Sequence, residues 1–411
     1  MNGYLRVLLY RFLISLFSAI SLAKGPVRAR LGRDTQPIPA GPHVWLHGAS
    51  NGELASFRPI FEKLVEDLPN INWLVTSNTE TGRDMVASWA LDRVSTRLAP
   101  LDLSWVTLRV IRRWNVQAHI TLESEIWPHR ILHCRGPVLI LGARMSAGTA
   151  KSWRKLGRLP ARVLGKVSLA LAQDEASQTR LLELGLSTQA SGPVMDLKSL
   201  YSAPNLTPDP QLIAAFSRSQ TWLAASTHEG DEEVVLAAHD LALRDRPDTK
   251  LILAPRHPRR AQEIADMIRA RGFSTARRST GEPPNKDGRQ ICLADTMGEM
   301  ALWYQLAGRV FIGGSLSDRG GHTPYEPATF ASAILHGPDM RNFAAASQRL
   351  QNNNAAIQIE TAHDLGQALL CLAPEDKQIA AGQAAKDALK SDLNLDELCQ
   401  TIAKIICAPT E

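Results

Sequence analysis

Residues 310–327 read VFIGGSLSDRGGHTPYEP, an apolar run followed by two glycine pairs and then by proline and glutamate. This order predicts a buried strand, a glycine-rich loop and a helix opened by Pro324 and Glu326. Glycine lets the backbone come close to a ligand, and the N–H groups at a helix start favour an anion. Glu326 is placed to accept ribose hydroxyls. The stretch predicts a nucleotide or sugar-phosphate site, although a glycine pair alone is more often a simple turn.

The surrounding sequence alternates between strand and helix patterns. In the second half we predict strands at 221–225, 250–254, 290–293 and 309–312, with helices at 231–244 and 258–271. In the first half we predict strands at 44–47, 72–76, 119–122, 138–141 and 169–172, with helices at 53–67, 105–114 and 175–184. Such alternation is typical of parallel, doubly wound sheets.

A proline-rich linker near 196–210 separates the two halves. A chain of 411 residues also exceeds the size of a single core. We therefore predict an α/β protein of two Rossmann-like domains facing a cleft, of the GT-B type; one large sheet is the alternative. The predicted boundaries are 1–33 for an N-terminal segment, 34–203 and 204–375 for the domains, and 376–411 for a helical tail.

The charge of the chain is +5 and uneven. Basic residues crowd two clusters, Arg6, Arg11, Lys24, Arg28, Arg30 and Arg33, then Arg144, Lys151, Arg154, Lys155 and Arg158. Such patches favour phosphate-bearing partners or an anionic membrane face. Aromatic residues do not interleave with them as a nucleic-acid stacking surface requires, so we expect no nucleic acid. The five cysteines are scattered without metal-ligand spacing, which indicates reduced thiols in the cytoplasm.

Residues 4–23 are mostly apolar, but the uncharged part, 12–23, is shorter than the roughly 20 residues that a spanning helix needs. A cleaved signal peptide is disfavoured by Lys24 and the arginines after it. We expect residues 1–33 to form a membrane-associated interfacial helix and a basic linker, with a true span or a signal peptide as alternatives.

Three further loops follow predicted strands in the second half, at 225–230, 255–258 and 295–299. Ligands of open α/β sheets bind at the carboxyl ends of strands, so these loops should converge with the glycine-rich loop. Arg256 could bind a phosphate with two hydrogen bonds, and Ser226 and Thr227 could donate hydroxyls. Taken singly, each motif is as readily explained by a loop ion pair or a helix start.

Carboxylates follow strands in the first half. Glu53 lies at a predicted helix start, where it is either a helix-dipole carboxylate or a general base for an acceptor hydroxyl. Glu123 and Glu125 follow another strand, and two neighbouring carboxylates there are costly unless a cation or a reaction uses them. No His/Cys cluster or Asp-x-Asp pair indicates a metal, so we predict none.

Together these motifs resemble one family, the 3-deoxy-D-manno-octulosonic acid (Kdo) transferases of lipid A assembly. The strings that carry the resemblance are WLHGASNGE at 45–53, ESEIWP at 123–128, ARMS at 143–146, STHEG at 226–230, PRHP at 255–258, DTMGE at 295–299 and the glycine-rich loop. The resemblance implies a GT-B glycosyltransferase at the cytoplasmic face of the bacterial inner membrane. It would move Kdo from CMP-Kdo to a lipid A precursor, with inversion and without metal or cofactor.

The resemblance also implies roles. Glu53 becomes the proton acceptor and Glu123 a transition-state helper. The first domain would bind the acceptor, and the second would bind CMP. The expected CMP-binding residues are Ser226, Thr227, Pro255, Arg256, Met297, Gly298, Glu299, Thr323, Pro324, Tyr325 and Glu326.

Two positions depart from the family pattern. Thr323 stands where the family has asparagine, and Val194 stands where it has lysine. The missing lysine implies altered charge stabilisation, replacement by Lys198, or a different acceptor. Use of another nucleotide sugar and a catalytically silent, ligand-binding paralogue remain the alternatives to Kdo transfer.

Overall fold

The computed structural model describes residues 27–33, 36–200, 209–284, 288, 290–390 and 394–408. The described residues up to Leu200, with those from 394 onward, form one compact unit, and residues 209–390 form a second. The predicted membrane-associated helix falls within residues 1–26 and so lies outside the described residues. The predicted domain boundary at 203/204 lies outside them too.

The first unit is built on a parallel sheet of six strands among its described residues. These strands are β1 (His43–Gly48), β2 (Asn72–Ser77), β3 (Val94–Leu98), β4 (Val116–Leu122), β5 (Val138–Ala143) and β6 (Leu169–Ala172). They lie in the order β3-β2-β1-β4-β5-β6. The described helices of this unit are α1 (Val27–Arg30), α2 (Asn51–Asp67), α3 (Glu80–Ser88), α4 (Ser104–Arg113), α5 (Pro128–His133), α6 (Ala147–Arg154), α7 (Leu159–Leu164) and α8 (Glu175–Glu183), with 3₁₀ turns at Thr188–Ala190 and Leu197–Leu200.

The second unit holds a parallel sheet of seven described strands. These are β7 (Thr221–Thr227), β8 (Lys250–Pro255), β9 (Thr275–Arg277), β10 (Ile291–Leu293), β11 (Arg309–Ile312), β12 (Ala333–His336) and β13 (Ala356–Gln358). Their order is β13-β12-β11-β7-β8-β10-β9. The described helices are α9 (Pro210–Ala215), α10 (Asp231–Asp245), α11 (Ala261–Ala270), α12 (Met300–Leu306), α13 (Tyr325–Thr329), α14 (Ala344–Asn352), α15 (Ala362–Cys371) and α16 (Glu375–Leu389), with 3₁₀ turns at Pro258–Arg260, Arg278–Thr280 and Arg341–Phe343.

Strands with continuous apolar runs were predictable because both of their faces are buried. Every residue of β1 and β11 is buried, as expected for central strands of a parallel sheet covered by helices on both faces. All nine predicted strands are present. The expectation of two sheets is confirmed, and the single-sheet alternative is wrong. The sequence analysis missed the edge strands β3, β9 and β13, which are only partly buried, and the short strand β12.

The predicted helical tail, residues 376–411, contains two helices among its described residues, and these helices pack in different units. Helix α16 packs in the second unit, where Ala385 and Leu389 are buried and Gln378 Nε2 donates to Ser219 O at 2.8 Å. The last helix, α17 (Leu395–Cys407), packs instead on α2 of the first unit. Its residues Leu398, Cys399, Ile402 and Ile406 are buried in the first unit's core. The chain therefore returns to the first unit after residue 390 because α17 carries an apolar face that fits α2.

Each sheet has a point where the strand order reverses. In the first sheet the reversal falls between β1 and β4, and in the second it falls between β7 and β11. Loops at the carboxyl ends of such neighbouring strands diverge to opposite sides of the sheet and leave a crevice, the usual ligand site of open α/β sheets. In the described part of the chain, no helix has the length and apolar character required to cross a membrane.

Candidate active site

Three carboxylates gather at the reversal point of the first sheet. Strands β1 and β4 pair in parallel register, with His47 opposite Thr121, so their carboxyl ends lie side by side. The segment after β1 carries Glu53, and the segment after β4 carries Glu123 and Glu125. Electrostatic coupling of Glu53 to both of the other carboxylates shows that the three lie near one another.

Glu53 is held at the first turn of α2. Ser50 is the N-cap of this helix, and its hydroxyl accepts a hydrogen bond from Glu53 N at 3.3 Å. In return the Glu53 carboxylate accepts from Ala49 N at 2.8 Å and from Ser50 Oγ at 3.1 Å. This reciprocal arrangement is close to a capping box, so Glu53 has a structural role as well as any chemical one.

The environment of Glu53 favours its protonated form. Burial, followed by the negative charge of Glu123 and then that of Glu125, raises the pKa of Glu53 to about 7, against the opposing hydrogen bonds from Ala49 and Ser50. A carboxyl with a pKa near the working pH can take up a proton and release it again, which is the property required of a general base.

Glu123 lies in a strained backbone position. Its φ is +49°, in the left-handed region that a residue with a side chain seldom adopts. Its backbone is fixed by bonds from Glu123 N to Leu141 O at 3.0 Å and from Arg144 N to Glu123 O at 3.2 Å. Lys198 Nζ lies 3.7 Å from Glu123 Oε1. Burial raises the pKa of Glu123, although Lys198 and Arg144 act in the other direction.

Glu125 is the fixed negative charge of this group. Its Oε2 accepts from His47 Nε2 at 3.0 Å, from Trp127 Nε1 at 2.6 Å and from Asn78 Nδ2 at 3.3 Å. Despite burial, which acts to raise it, the pKa of Glu125 is lowered to about 2 by His47, by the hydrogen bond from Trp127 and by the charge of Arg130. His47 is fully buried and lies 78 positions away in the sequence, and the sequence analysis gave it no role. Its placement directly before the Gly-Ala-Ser-Asn-Gly loop was the available signal.

In the second unit, the segments after β7, β8 and β11 converge as predicted from the strand ends. Arg256 N, after β8, donates to Thr227 O at 3.0 Å. The segments after β7 and β11 touch so closely that a Cβ on Gly313 would lie 2.4 Å from Ser226 O. Ser226 itself has a φ of +57°. Glycine at 313 is therefore required by close backbone approach.

We expected the amides of the glycine-rich loop to face an anion, and three of its glycine amides instead bond within the protein. Gly314 N donates to Asp231 Oδ2 at 2.7 Å, Gly320 N to Asp339 Oδ2 at 2.8 Å and Gly321 N to Gly314 O at 2.9 Å. The helix that follows, α13, has only five residues. These three amides are therefore already bonded and are not free to bind an anion.

Positively charged side chains and histidines surround the junction of these segments. Arg256 and Arg319 are exposed, and within the described residues neither guanidinium has a hydrogen bond or ion pair. His228 lies within the electrostatic reach of both, and its ring contacts those of His257 and His322. The sequence analysis placed Arg256 here but assigned no role to Arg319 or to the histidines.

Two of the predicted CMP-binding residues, Thr227 and Pro255, lie in the protein interior. Thr227 is buried and its hydroxyl donates to Glu232 Oε1 at 2.9 Å, so this hydroxyl serves the protein interior. Pro255 is buried at the end of β8, where it places Arg256 on the surface.

Residues 297–299 lie on a separate segment, after β10. Glu299 is bound by Arg278, with Nη2 to Oε1 at 2.7 Å, and by the Thr296 hydroxyl. The bond from Arg278 is the main reason that the pKa of Glu299 is lowered. Gly298 has a φ of +85°, and the neighbouring Met297 side chain is 71% exposed. An apolar side chain so exposed next to a polar cluster is a surface on which a planar base could stack.

Residues 323–326 form the entry to α13. Pro324 and Tyr325 are buried, and Tyr325 N donates to Thr323 Oγ1 at 3.3 Å. Burial raises the pKa of Glu326 to about 7, although the hydroxyl of Tyr304 donates to its carboxylate and lowers the pKa. Glu326 therefore changes charge close to neutral pH. Among the described residues, no group of three or more His, Cys, Asp or Glu side chains is arranged to hold a metal ion.

The sequence of this chain is similar to those of one known family. A family model described as 3-deoxy-D-manno-octulosonic-acid transferase (kdotransferase) matches residues 26–200. The 3-deoxy-D-manno-octulosonic acid transferase of Haemophilus influenzae is 31% identical over 344 residues, which cover 81% of this chain and 79% of that protein. The enzyme of the same name from Rickettsia prowazekii is 29% identical over 375 residues, covering 88% and 80%.

A solved glycosyltransferase from Rickettsia africae shares the fold. It superposes with a TM-score of 0.57 at 14% identity, over 90% of this chain and all of the other. At that identity the likeness concerns the fold alone, an arrangement of two parallel α/β units.

Proposed function

The chain belongs to the 3-deoxy-D-manno-octulosonic acid (Kdo) transferase family, and from this membership we propose that it moves Kdo from CMP-Kdo to a lipid A precursor. The observation that carries the proposal is the 31% identity to a named Kdo transferase over most of both chains. The reaction belongs to lipopolysaccharide biosynthesis. Within it, the first unit would bind the acceptor and the second would bind the CMP-sugar.

Glu53 is the proposed general base. Its pKa of about 7 suits removal of a proton from an acceptor hydroxyl at neutral pH. The hydroxyl oxygen then forms a bond to the anomeric carbon of Kdo. The bond from that carbon to the CMP phosphate breaks, and its electron pair leaves with the phosphate. A single displacement of this kind inverts the anomeric configuration and involves no metal or cofactor.

Glu123 is the proposed helper of this step. It lies beside Lys198 and within the influence of Arg144, so positive charge surrounds the carboxylate that would face the acceptor. Its strained φ of +49° supports a functional role, because such strain persists where a site requires it.

The proposed donor site combines four segments of the second unit. Arg256 would bind the phosphate, Glu326 would accept ribose hydroxyls, and Met297 would contact the base. The remaining proposed CMP-binding residues are Ser226, Thr227, Pro255, Gly298, Glu299, Thr323, Pro324 and Tyr325. Thr227 and Glu299 would contribute indirectly, because Glu232 and Arg278 already bind them.

We also propose that the protein works on the cytoplasmic leaflet of the inner membrane. Helix α4 presents Trp105, 47% exposed, with the Arg109 guanidinium 5.0 Å from its ring, and Arg112 and Arg113 are exposed beside it. Arg109 Nη1 also donates to Leu31 O at 3.2 Å, so the chain that follows residues 1–26 runs next to this surface. Tryptophan and arginine together suit an interface of anionic headgroups.

Vesicle binding tests the membrane proposal. The full chain should bind phosphatidylglycerol vesicles more tightly than phosphatidylcholine vesicles, and Trp105→Ser combined with Arg112→Ser and Arg113→Ser should weaken that binding several-fold. Lys377→Ser, an exposed cation of the second unit, is the matched control. Equal binding by the triple variant and the native chain would refute a role for α4.

Mass spectrometry tests the transfer reaction directly. The protein, a tetra-acylated lipid A precursor and freshly generated CMP-Kdo should yield acceptor carrying added Kdo, and the Glu53→Gln variant should yield almost none. Replacing CMP-Kdo with UDP-linked sugars should abolish the product. Product from a UDP-sugar alone would indicate another nucleotide sugar, and nucleotide binding without product from any donor would indicate a silent paralogue.

A further inference from the structure

Two histidines of the second unit lie within hydrogen-bonding distance of each other. His228 Nε2 and His322 Nε2 lie 2.9 Å apart, and the rings are parallel, with an interplanar angle of 5° and centroids 5.2 Å apart. Two nitrogen atoms at this distance need a hydrogen between them, so one ring donates and the other accepts. A neutral pair meets this condition when one ring carries its proton on Nε2 and the other on Nδ1.

The glycine-rich loop is shaped around this pair. Gly314 has a φ of +67°, and a Cβ at this position would lie 3.1 Å from His228 Cδ2 and 3.5 Å from His322 Cδ2. Asp231 fixes both sides of the contact, because its Oδ2 accepts from His228 N at 2.9 Å and from Gly314 N at 2.7 Å. The pair is thus a built feature at the point where the strand order of the second sheet reverses.

Positive charge exceeds negative charge around the pair. Arg256, Arg260, Arg319 and His257 all act on His228 to lower its pKa, after the larger effect of burial. Arg260 is neutralised by Glu232 and Glu263, and the Asp231 carboxylate is bonded to backbone amides. Arg256 and Arg319 have no carboxylate partner among the described residues. A site of this composition is completed by an anion.

From this geometry we infer that His228 and His322 bind the phosphate of the CMP donor and take up a proton when it binds. The inference rests on the proposed function and adds residues to its donor site. In the free protein, burial and the neighbouring cations lower the pKa of both histidines, that of His322 to about 4, so the pair is neutral at pH 7. A phosphate oxyanion reverses the sign of the local field and raises the pKa of the pair.

The histidine pair has one unprotonated Nδ1 that can take up the added proton. The ring that donates through Nε2 has a free Nδ1, and a proton added there leaves the contact between the Nε2 atoms intact. This ring then becomes a cation next to the phosphate. During transfer the bond from Kdo to the phosphate oxygen breaks and CMP gains one negative charge, while the hydroxyl proton goes to Glu53. The protonated pair keeps its proton and stabilises that new charge, as preorganised donors do in other transfer reactions.

Calorimetry of the full chain tests the inference. The probe is the methyl ester of CMP, a phosphodiester that, unlike CMP with its second phosphate pKa of about 6, does not itself titrate near neutral pH. Titrations at pH 7 in buffers of different ionisation enthalpy give the number of protons exchanged on binding. Binding of the ribose should itself release protons from Glu326, whose pKa is about 7, so uptake by the histidines is counted relative to cytidine. We expect the ester to take up close to one proton more than cytidine does in the native protein, and this difference should be lost in His228→Gln and His322→Gln.

Two controls make the result specific. Cytidine lacks the phosphate and should bind without proton uptake, and His363→Gln, a histidine on α15 outside this cluster, should behave as the native protein. Binding of the ester with no uptake beyond that of cytidine, or a difference that persists in both histidine variants, would overturn the inference and leave the donor assignment standing. Failure of the native, folded chain to bind the ester would instead contradict the proposed function itself, and the inference with it.

Discussion

Lys198 Nζ lies 3.7 Å from Glu123 Oε1, and both side chains are largely buried. Lys198 comes from the 3₁₀ turn Leu197–Leu200, which packs on α2 next to the carboxylate group. The family carries a lysine at the position of Val194, which is four residues before Lys198 in this chain. The contact therefore supports the alternative in which Lys198 replaces that lysine.

We expect Lys198→Ala to slow transfer by about 10- to 100-fold, because a partly buried carboxylate that loses its cation is left uncompensated. Removal of the lysine also raises the pKa of Glu123 further. Because the proposed helper is the ionised carboxylate, the loss of rate should be greatest at the acid end of the pH range, where Glu123 of the variant is protonated. Rates measured from pH 6 to pH 9 check both effects. A Lys198→Ala protein that also carries Val194→Lys should recover part of the rate, and no recovery would argue against replacement.

Glu53→Gln should lower the rate of transfer by about 10²- to 10⁴-fold while binding of CMP stays close to that of the native protein. Glutamine keeps an acceptor for the amide of Ala49, so the start of α2 should survive. Because the pKa of Glu53 is about 7, native kcat/KM should rise as pH increases through 7 and level off above it. Ser50→Ala is the matched control for capping: it should lower thermal stability but keep most of the activity.

The buried strands were predictable because each is a continuous apolar run in the sequence. Site residues were predictable where they come directly after such a strand. Glu53, Glu123, Ser226 and Arg256 were placed at strand ends for this reason. Partners distant in sequence were not predictable. His47 meets Glu125 across 78 positions and His228 meets His322 across 94, and only the strand order brings each pair together.

The glycine-rich loop shows a second limit of prediction. We predicted that the backbone amides of its glycines bind an anion, but the amides of Gly314, Gly320 and Gly321 donate to Asp231, to Asp339 and to the loop itself. A glycine in a sequence shows that the backbone can adopt unusual φ angles there. It does not show which acceptor the glycine N–H will bind. Here the freedom of Gly313 and Gly314 makes room for the Ser226 backbone and for the rings of His228 and His322.

Glu125→Gln should shift the pH dependence of transfer more than its maximum rate. Glutamine can still accept from Trp127 and Asn78, but it removes a negative charge that raises the pKa of Glu53. The pKa of Glu53 should therefore fall, and the acid limb of kcat/KM should move to lower pH. Profiles of the native and variant proteins, measured from pH 5 to pH 9, check this. An unshifted limb together with a reduced rate would mean that Glu125 is only structural.

Arg256→Ala should weaken binding of CMP by about 10- to 100-fold, the usual cost of losing charge-assisted hydrogen bonds to a phosphate. Binding of cytidine, which has no phosphate, should be unchanged. Affinity of the native protein for CMP should also fall with added salt, and less steeply in the variant. Arg259→Ala is the control, since Arg259 is an exposed neighbour in the same segment. If both variants bind CMP as the native protein does, Arg256 does not bind the phosphate.

Glu326 should make nucleoside binding depend on pH through the ribose. Its carboxyl has a pKa of about 7, and only the ionised form accepts two ribose hydroxyls, so affinity for cytidine should rise several-fold between pH 6 and pH 8. Affinity for 2′,3′-dideoxycytidine should be lower and independent of pH, and Glu326→Gln should remove the pH dependence for cytidine. Tyr304→Phe removes the bond that lowers the pKa of Glu326, so the rise for cytidine should move to higher pH. Equal pH dependence for the two nucleosides would show that the carboxylate does not bind the ribose.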